Sequence, residues 1–206
     1  MKFTKRDLGF SVVTGLITGI IGWRIFVFLD KPEIYGVSSV WLILLIPILW
    51  IIGVNLGYFL GRWFNFFNQF GRFAAIGFTN ALVDFGILDL LIAKTGHEAG
   101  IWYSVFKAIS FIGAMLQSYI WNKYWAFDAG KSRGGWPEFF KFISVSVSSF
   151  IINVLAASVV VNFIHPVLNI TPKGWAQVGA IIGSAIALIF SFVGFKLAVF
   201  GKSANK

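Results

Sequence analysis

The chain has 206 residues, 58% hydrophobic and only 12% charged, with a net charge of +9 and no cysteine. Soluble domains carry about a quarter charged residues, so this composition, with a mean hydropathy of +0.82, indicates an integral membrane protein. The missing cysteines exclude disulfides, thiolate chemistry and cysteine-ligated metal sites, and the scatter of positive charge over the ends of apolar runs argues against nucleic acid as a partner.

Six apolar segments, near 8–29, 39–61, 71–93, 102–122, 140–163 and 175–199, are each long enough to span, given about 20 residues per bilayer core. The first follows Lys2, Lys5 and Arg6 and has the outline of a signal peptide. Its apolar stretch is too long for one, and no convincing small-residue cleavage site follows, so it is expected to stay as an anchor. The first two segments are glycine-rich (Gly15-x-x-x-Gly19 and Gly53-x-x-x-Gly57-x-x-x-Gly61), which predicts tight packing against each other or against the remaining helices. Arg24 and Asn55 are their notable internal polar groups.

The third segment holds Asp84 near its middle, where a charge costs roughly 2.5–3.5 kcal/mol on insertion scales. Asn80 lies one turn earlier and Gly77 shares the stripe. The fourth offers Lys107, Ser110, Ala114, Gln117 and Trp121 at helical spacing. Asp89 and Lys107 fall at similar depth and form a candidate intramembrane charge pair, with Arg24 as a competitor for either carboxylate. The fifth carries Ser146, Ser149 and Asn153 on one stripe, and the sixth Gly179-x-x-x-Gly183-x-x-x-Ala187. Small residues on these stripes read first as packing surfaces; Asn80, Asp84 and Lys107 read first as functional, because packing requires no ionisable group.

Segments three and five align at an offset of 69 residues, pairing Arg72-Phe73 with Lys141-Phe142, Asn80 with Ser149 and Asp84 with Asn153. Segments four and six align at an offset of 73, pairing Ser118 with Ser191, Lys123 with Lys196 and Phe127 with Phe200. The chain thus reads as two helical hairpins in parallel repeat, an arrangement in which transporters place polar sites between repeats.

Sorted by side, Lys2, Lys5, Arg6, Arg62, Arg72, Lys123, Lys131, Arg133, Lys141, Lys196, Lys202 and Lys206 fall together, against Lys31, Lys94, Lys173, Arg24 and Lys107 toward the other side. The positive-inside rule then predicts a multi-pass protein of the cytoplasmic (inner) membrane with both termini inside. At that side Arg72, Asn122, Lys123, Lys141 and Lys196 end the repeat helices, and donors at headgroup depth suit a lipid phosphate. Asn80, Asp84, Gln117 and Asn153 would line a polar path for the attached head group. His97 and His165 are isolated, no nucleotide or metal motif occurs, and Asn169-Ile-Thr171 is a short match to a glycosylation acceptor.

The segments QFGRFAAIGFTNALVDFGILDLL, SYIWNKYWAF and EFFKFISVSVSSFIINVL together resemble the GtrA-like family. The matching positions are Arg72, Phe73, Gly77, Asn80, Asp84 and Phe85, then Asn122, Lys123, Trp125 and Phe127, within roughly 70–201. The resemblance implies a four-helix transmembrane domain, placed at 67–206, preceded by a two-helix extension at 1–66 that departs from the family pattern. It also implies movement of polyprenyl-phosphate-linked sugars for cell-surface polysaccharide or glycolipid synthesis, or assistance to the membrane glycosyltransferase that uses them. The extension would cover a surface otherwise open to assembly with further copies. The expectation is therefore an all-α protein of six transmembrane helices that is a flippase and not an enzyme, with no cofactor or metal. The alternatives are a non-transporting adaptor for a glycosyltransferase and a small proton-coupled exporter.

Overall fold

A computed structural model describes residues 2–131, 134–166 and 172–201. Arg133, Lys202, Lys206 and the acceptor-like Asn169–Thr171 lie outside the described residues. The elements are α1 (Lys5–Phe28), a small hairpin of β1 (Glu33–Ile34) and β2 (Val37–Ser38), a 3-10 turn (Ser39–Trp41), α2 (Leu42–Leu60), α3 (Phe67–Thr95), α4 (Gly100–Trp121), α5 (Gly135–Phe163) and α6 (Pro172–Gly194). Tyr35 (φ 52°) and Gly36 (φ 77°) turn the hairpin with both residues left-handed, the primed-turn geometry that matches strand twist.

The molecule is an all-α, multi-pass membrane protein. Five stretches among the described residues are long and apolar enough to cross a bilayer: Lys5–Phe28, Ser39–Leu60, Phe67–Thr95, Gly135–Phe163 and Val178–Val199. α4 is the departure from the six expected spans. It has the length, but Lys107, Gln117 and its serines and tyrosines dilute its apolar run.

Two compact units emerge, Met1–Asp128 and Ala129–Lys206. In the first, α1 and α2 pack on the α3–α4 hairpin, so the packing runs across position 66/67, where the sequence suggested an extension ends. Missing side chains allow the close crossings. A Cβ on Gly15 would lie 2.5 Å from the Pro47 Cα, and one on Gly19 would strike the Leu42 carbonyl. A Cβ on Gly57 would come within 3.1 Å of the Gly71 Cα. The first glycine row therefore seats α1 on α2, and the second seats α2 on α3. Thr79, fully buried on α3, accepts from Thr18 Oγ1 (2.9 Å) and Trp50 Nε1 (3.3 Å), pinning the three helices together.

The second unit is the α5–α6 pair. Gly179 and Gly183 face Ala157, Val161 and Asn153 at distances that exclude a side chain. The small-residue stripe of α6 is thus a packing surface. Phe142 near the start of α5 stacks on Phe195 at 4.4 Å between centroids.

Both hairpins end alike. α4 runs into a π turn at Asn122–Ala126 and α6 into one at Phe195–Val199, 73 positions later. Phe127 N donates to the Asn122 carbonyl (3.0 Å) and Phe200 N to that of Phe195 (2.8 Å). Within each turn the basic residue lies over a ring four positions back, Lys123 over Tyr119 (5.6 Å) and Lys196 over Phe192 (5.7 Å). A rare wide turn repeated at the offset of the sequence alignment is strong support for duplication, and such turns often mark functional sites.

Candidate functional site

The first unit carries a column of polar groups between α3 and α4. At its deep end Asp84 accepts from Lys107 Nζ at 2.5 Å and from the fully buried Ser110 Oγ at 2.6 Å. The expected pairing of Lys107 with Asp89 is corrected here. Asp89 lies five residues past Asp84, turned about 140° away around the helix, so α4 cannot meet both from one side. Asp89 is half-buried and has no ion pair among the described residues. Arg24 is exposed, with its guanidinium 5.7 Å from the Trp23 ring centre, and pairs with neither carboxylate.

Asp84 beside Ser110 and Arg72 beside Trp125 fix the antiparallel register of the hairpin. Asn80 and Gln117 fall between those two contacts. Asn80 Oδ1 and both Gln117 amide atoms, Oε1 and Nε2, are buried without a hydrogen-bond partner. Each such group costs roughly 1–3 kcal/mol, more than a packing role explains. Together they offer two acceptors and a donor, the complement of a sugar's hydroxyls.

At the other end of the column Arg72 Nη1 donates to the Trp125 carbonyl at 2.9 Å and stands 3.8 Å from Asp7 Oδ1. Asp7 comes from the first turn of α1 and is only 3% exposed. Trp125 Nε1 donates to Asp7 Oδ1 (3.1 Å) and Tyr58 Oη to Asp7 Oδ2 (3.0 Å). Thr4 closes a capping box with Asp7, its backbone N donating at 3.0 Å and its hydroxyl at 2.7 Å. Arg6 reaches Asp128 (2.7 Å) and the Tyr124 carbonyl, and Phe10 stacks on Trp125 at 5.4 Å. Asn122 donates to Ser118, while its buried Oδ1 has no partner. Lys123 Nζ donates to Tyr119 Oη at 3.3 Å.

Of the five residues expected to hold phosphate, Arg72, Asn122 and Lys123 thus meet at one end of the first unit. Lys141 and Lys196 belong to the second unit, flanking the stacked Phe142 and Phe195. Lys141 is exposed there and Lys196 half-buried. Of the head-group set, Asn80, Asp84 and Gln117 share the column. Asn153 lies on α5 and donates to Ser184 Oγ at 3.3 Å, a neutral echo of the Asp84–Ser110 contact in the other hairpin. Asp7 and Tyr58 were missed by sequence reasoning. The legible signal was Thr4-x-x-Asp7, a cap that also places a carboxylate among the positive charges.

The residue range 72–200 matches the model of the GtrA/DPMS transmembrane domain. Among curated proteins the chain is similar to the uncharacterized membrane protein YngA of Bacillus subtilis, with 27% identity over 133 residues, covering 65% of this chain and 80% of that protein. No solved structure matches it significantly.

Proposed function

The chain belongs to the GtrA/DPMS transmembrane-domain family and is a membrane protein of polyprenyl-phosphate-sugar metabolism, from which we propose that it carries such lipids across the cytoplasmic membrane. In this reading both termini are cytoplasmic, α4 crosses together with the other five helices, and residues 67–206 are the ancestral transporting part. The observation that carries it is the buried, unsatisfied Asn80 Oδ1 and Gln117 amide, set between a basic end and the Asp84–Lys107–Ser110 contact. Sugar hydroxyls would satisfy those amides in passage while the prenyl tail stays in lipid. Lys123 attracts the phosphate at the end of the first unit, and the unmet Asn122 Oδ1 accepts from a sugar hydroxyl. Asp84 serves here as an interhelical anchor that holds α3 against α4. No bond is made or broken, so the protein is not an enzyme.

The test is reconstitution into vesicles preloaded with a fluorescent polyprenyl-phosphate sugar on one leaflet. The protein should accelerate its appearance on the other leaflet well above protein-free vesicles, and equal rates would end the proposal.

A second reading, an adaptor that recruits a membrane glycosyltransferase, draws on one observation: Asp84 is already satisfied by Lys107 and Ser110 and needs no ligand. It predicts co-purification with such an enzyme that survives Asn80→Leu and Gln117→Leu.

A further inference from the structure

Asp7 receives more than a helix cap requires. Thr4 alone completes the capping box, yet Tyr58 Oη, Trp125 Nε1 and Arg72 Nη1 converge on the same carboxylate from α2, the π turn and α3. Arg72 is itself more than nine-tenths buried, and its Nε has no partner. A guanidinium, an indole N–H and a phenol arranged around two oxygens form a cradle for an oxyanion.

We propose that Tyr58, Arg72 and Trp125 form a phosphate site for an isoprenoid phosphate, held closed in cis by Asp7. The ligand class rests on the function proposed above; the cradle itself does not. Asp7 presents two oxygens of one carboxylate where the phosphate would present two of its own. The two anions cannot share one guanidinium without strong repulsion. Entry therefore requires the first turn of α1 to withdraw. That turn is tethered at the rim by Arg6 to Asp128 and to the Tyr124 carbonyl, contacts exposed to solvent and hence readily exchanged. Tyr58 and Asp7 precede the family-matched region, so the closure is a device of the two leading helices. A form that is closed in about nine molecules of ten binds its ligand about tenfold more weakly than the open form.

The full chain, in nanodiscs of phosphatidylcholine, is titrated with radiolabelled farnesyl phosphate, with farnesol as the tail-only control. Asp7→Ala should bind farnesyl phosphate about tenfold tighter than the wild type, with no change for farnesol. Adding Arg72→Gln should remove the gain. Asp30→Asn, which deletes an exposed carboxylate that belongs to neither the cradle nor its tether, should leave binding within about twofold. Equal affinity in wild type and Asp7→Ala, a gain that survives Arg72→Gln, or the same gain in Asp30→Asn would each overturn the proposal. The last two outcomes would show only a change in general charge. Should Asp7→Ala fail to fold, hydrogen exchange of the wild type decides. Saturating farnesyl phosphate should expose the amides of residues 5–9, and unchanged protection there refutes the closure. Failure of lipid transport alongside a gain in Asp7→Ala would remove the flippase and leave the cradle; transport with no effect at Asp7 would do the reverse.

Discussion

Asp84 and Asp7 show what a single carboxylate costs and does in this protein. Asp84 was legible in the sequence because a charge in the middle of an apolar run is expensive. Its partner was not, because residues at similar depth can still face different sides of a helix. Depth alone favoured Asp89 with Lys107, whereas helix rotation gives Lys107 to Asp84. Removing one member of such a pair strands the other. Lys107→Met should therefore destabilise the fold by about 1–3 kcal/mol, the pair being only part-buried, and Asp84→Asn with Lys107→Met should recover most of that loss. Detergent-unfolding curves of the singles and the double give the coupling, and additive effects would show the contact to be incidental. Asp7 was illegible for the opposite reason. It sits at a helix start, where a carboxylate is cheap and common, and its other donors come from positions far along the chain.

The helices themselves follow from the lengths of the apolar runs, and their observed ends fall within a few residues of the expected ones. The π turns were not legible, since an i to i+5 bond leaves no periodic trace in a short motif. Their 73-residue spacing nevertheless agrees with the aligned repeat. Glycine spacing predicted close crossings without saying which helices cross. The structure separates the glycines by role: Gly15 and Gly57 sit where a Cβ would collide with a neighbouring backbone, while a Cβ on Gly53 would meet nothing. Gly15→Leu and Gly57→Ile should each cost about 1–3 kcal/mol or more through overpacking. Gly53→Ala should be neutral or slightly stabilising, since alanine is the better helix former. Thermal unfolding in detergent would rank the three, and a loss at Gly53 equal to that at Gly57 would contradict the assigned crossings.

At the scale of the molecule, the two leading helices are part of the first unit's core and not an appendage to it. α1 and α2 supply Thr18 and Trp50 to Thr79, and Asp7 and Tyr58 to the Arg72–Trp125 corner. Deleting residues 1–66 should therefore lower the yield and unfolding temperature of the remaining hairpins, measured by size-exclusion profile and melting in detergent. A deletion variant as stable as the full chain would show the extension to be separable. Between that corner and Asp84 lies the feature on which the functional account depends, the Asn80 Oδ1 and the Gln117 amide buried without partners. The direct test compares transbilayer movement of a polyprenyl-phosphate sugar by wild type and by Asn80→Leu/Gln117→Leu in vesicles of equal protein content. The double variant removes the polar path without removing a charge, so it should stay folded and move the lipid about tenfold more slowly or worse. A folded double variant that transports at the wild-type rate would contradict the account.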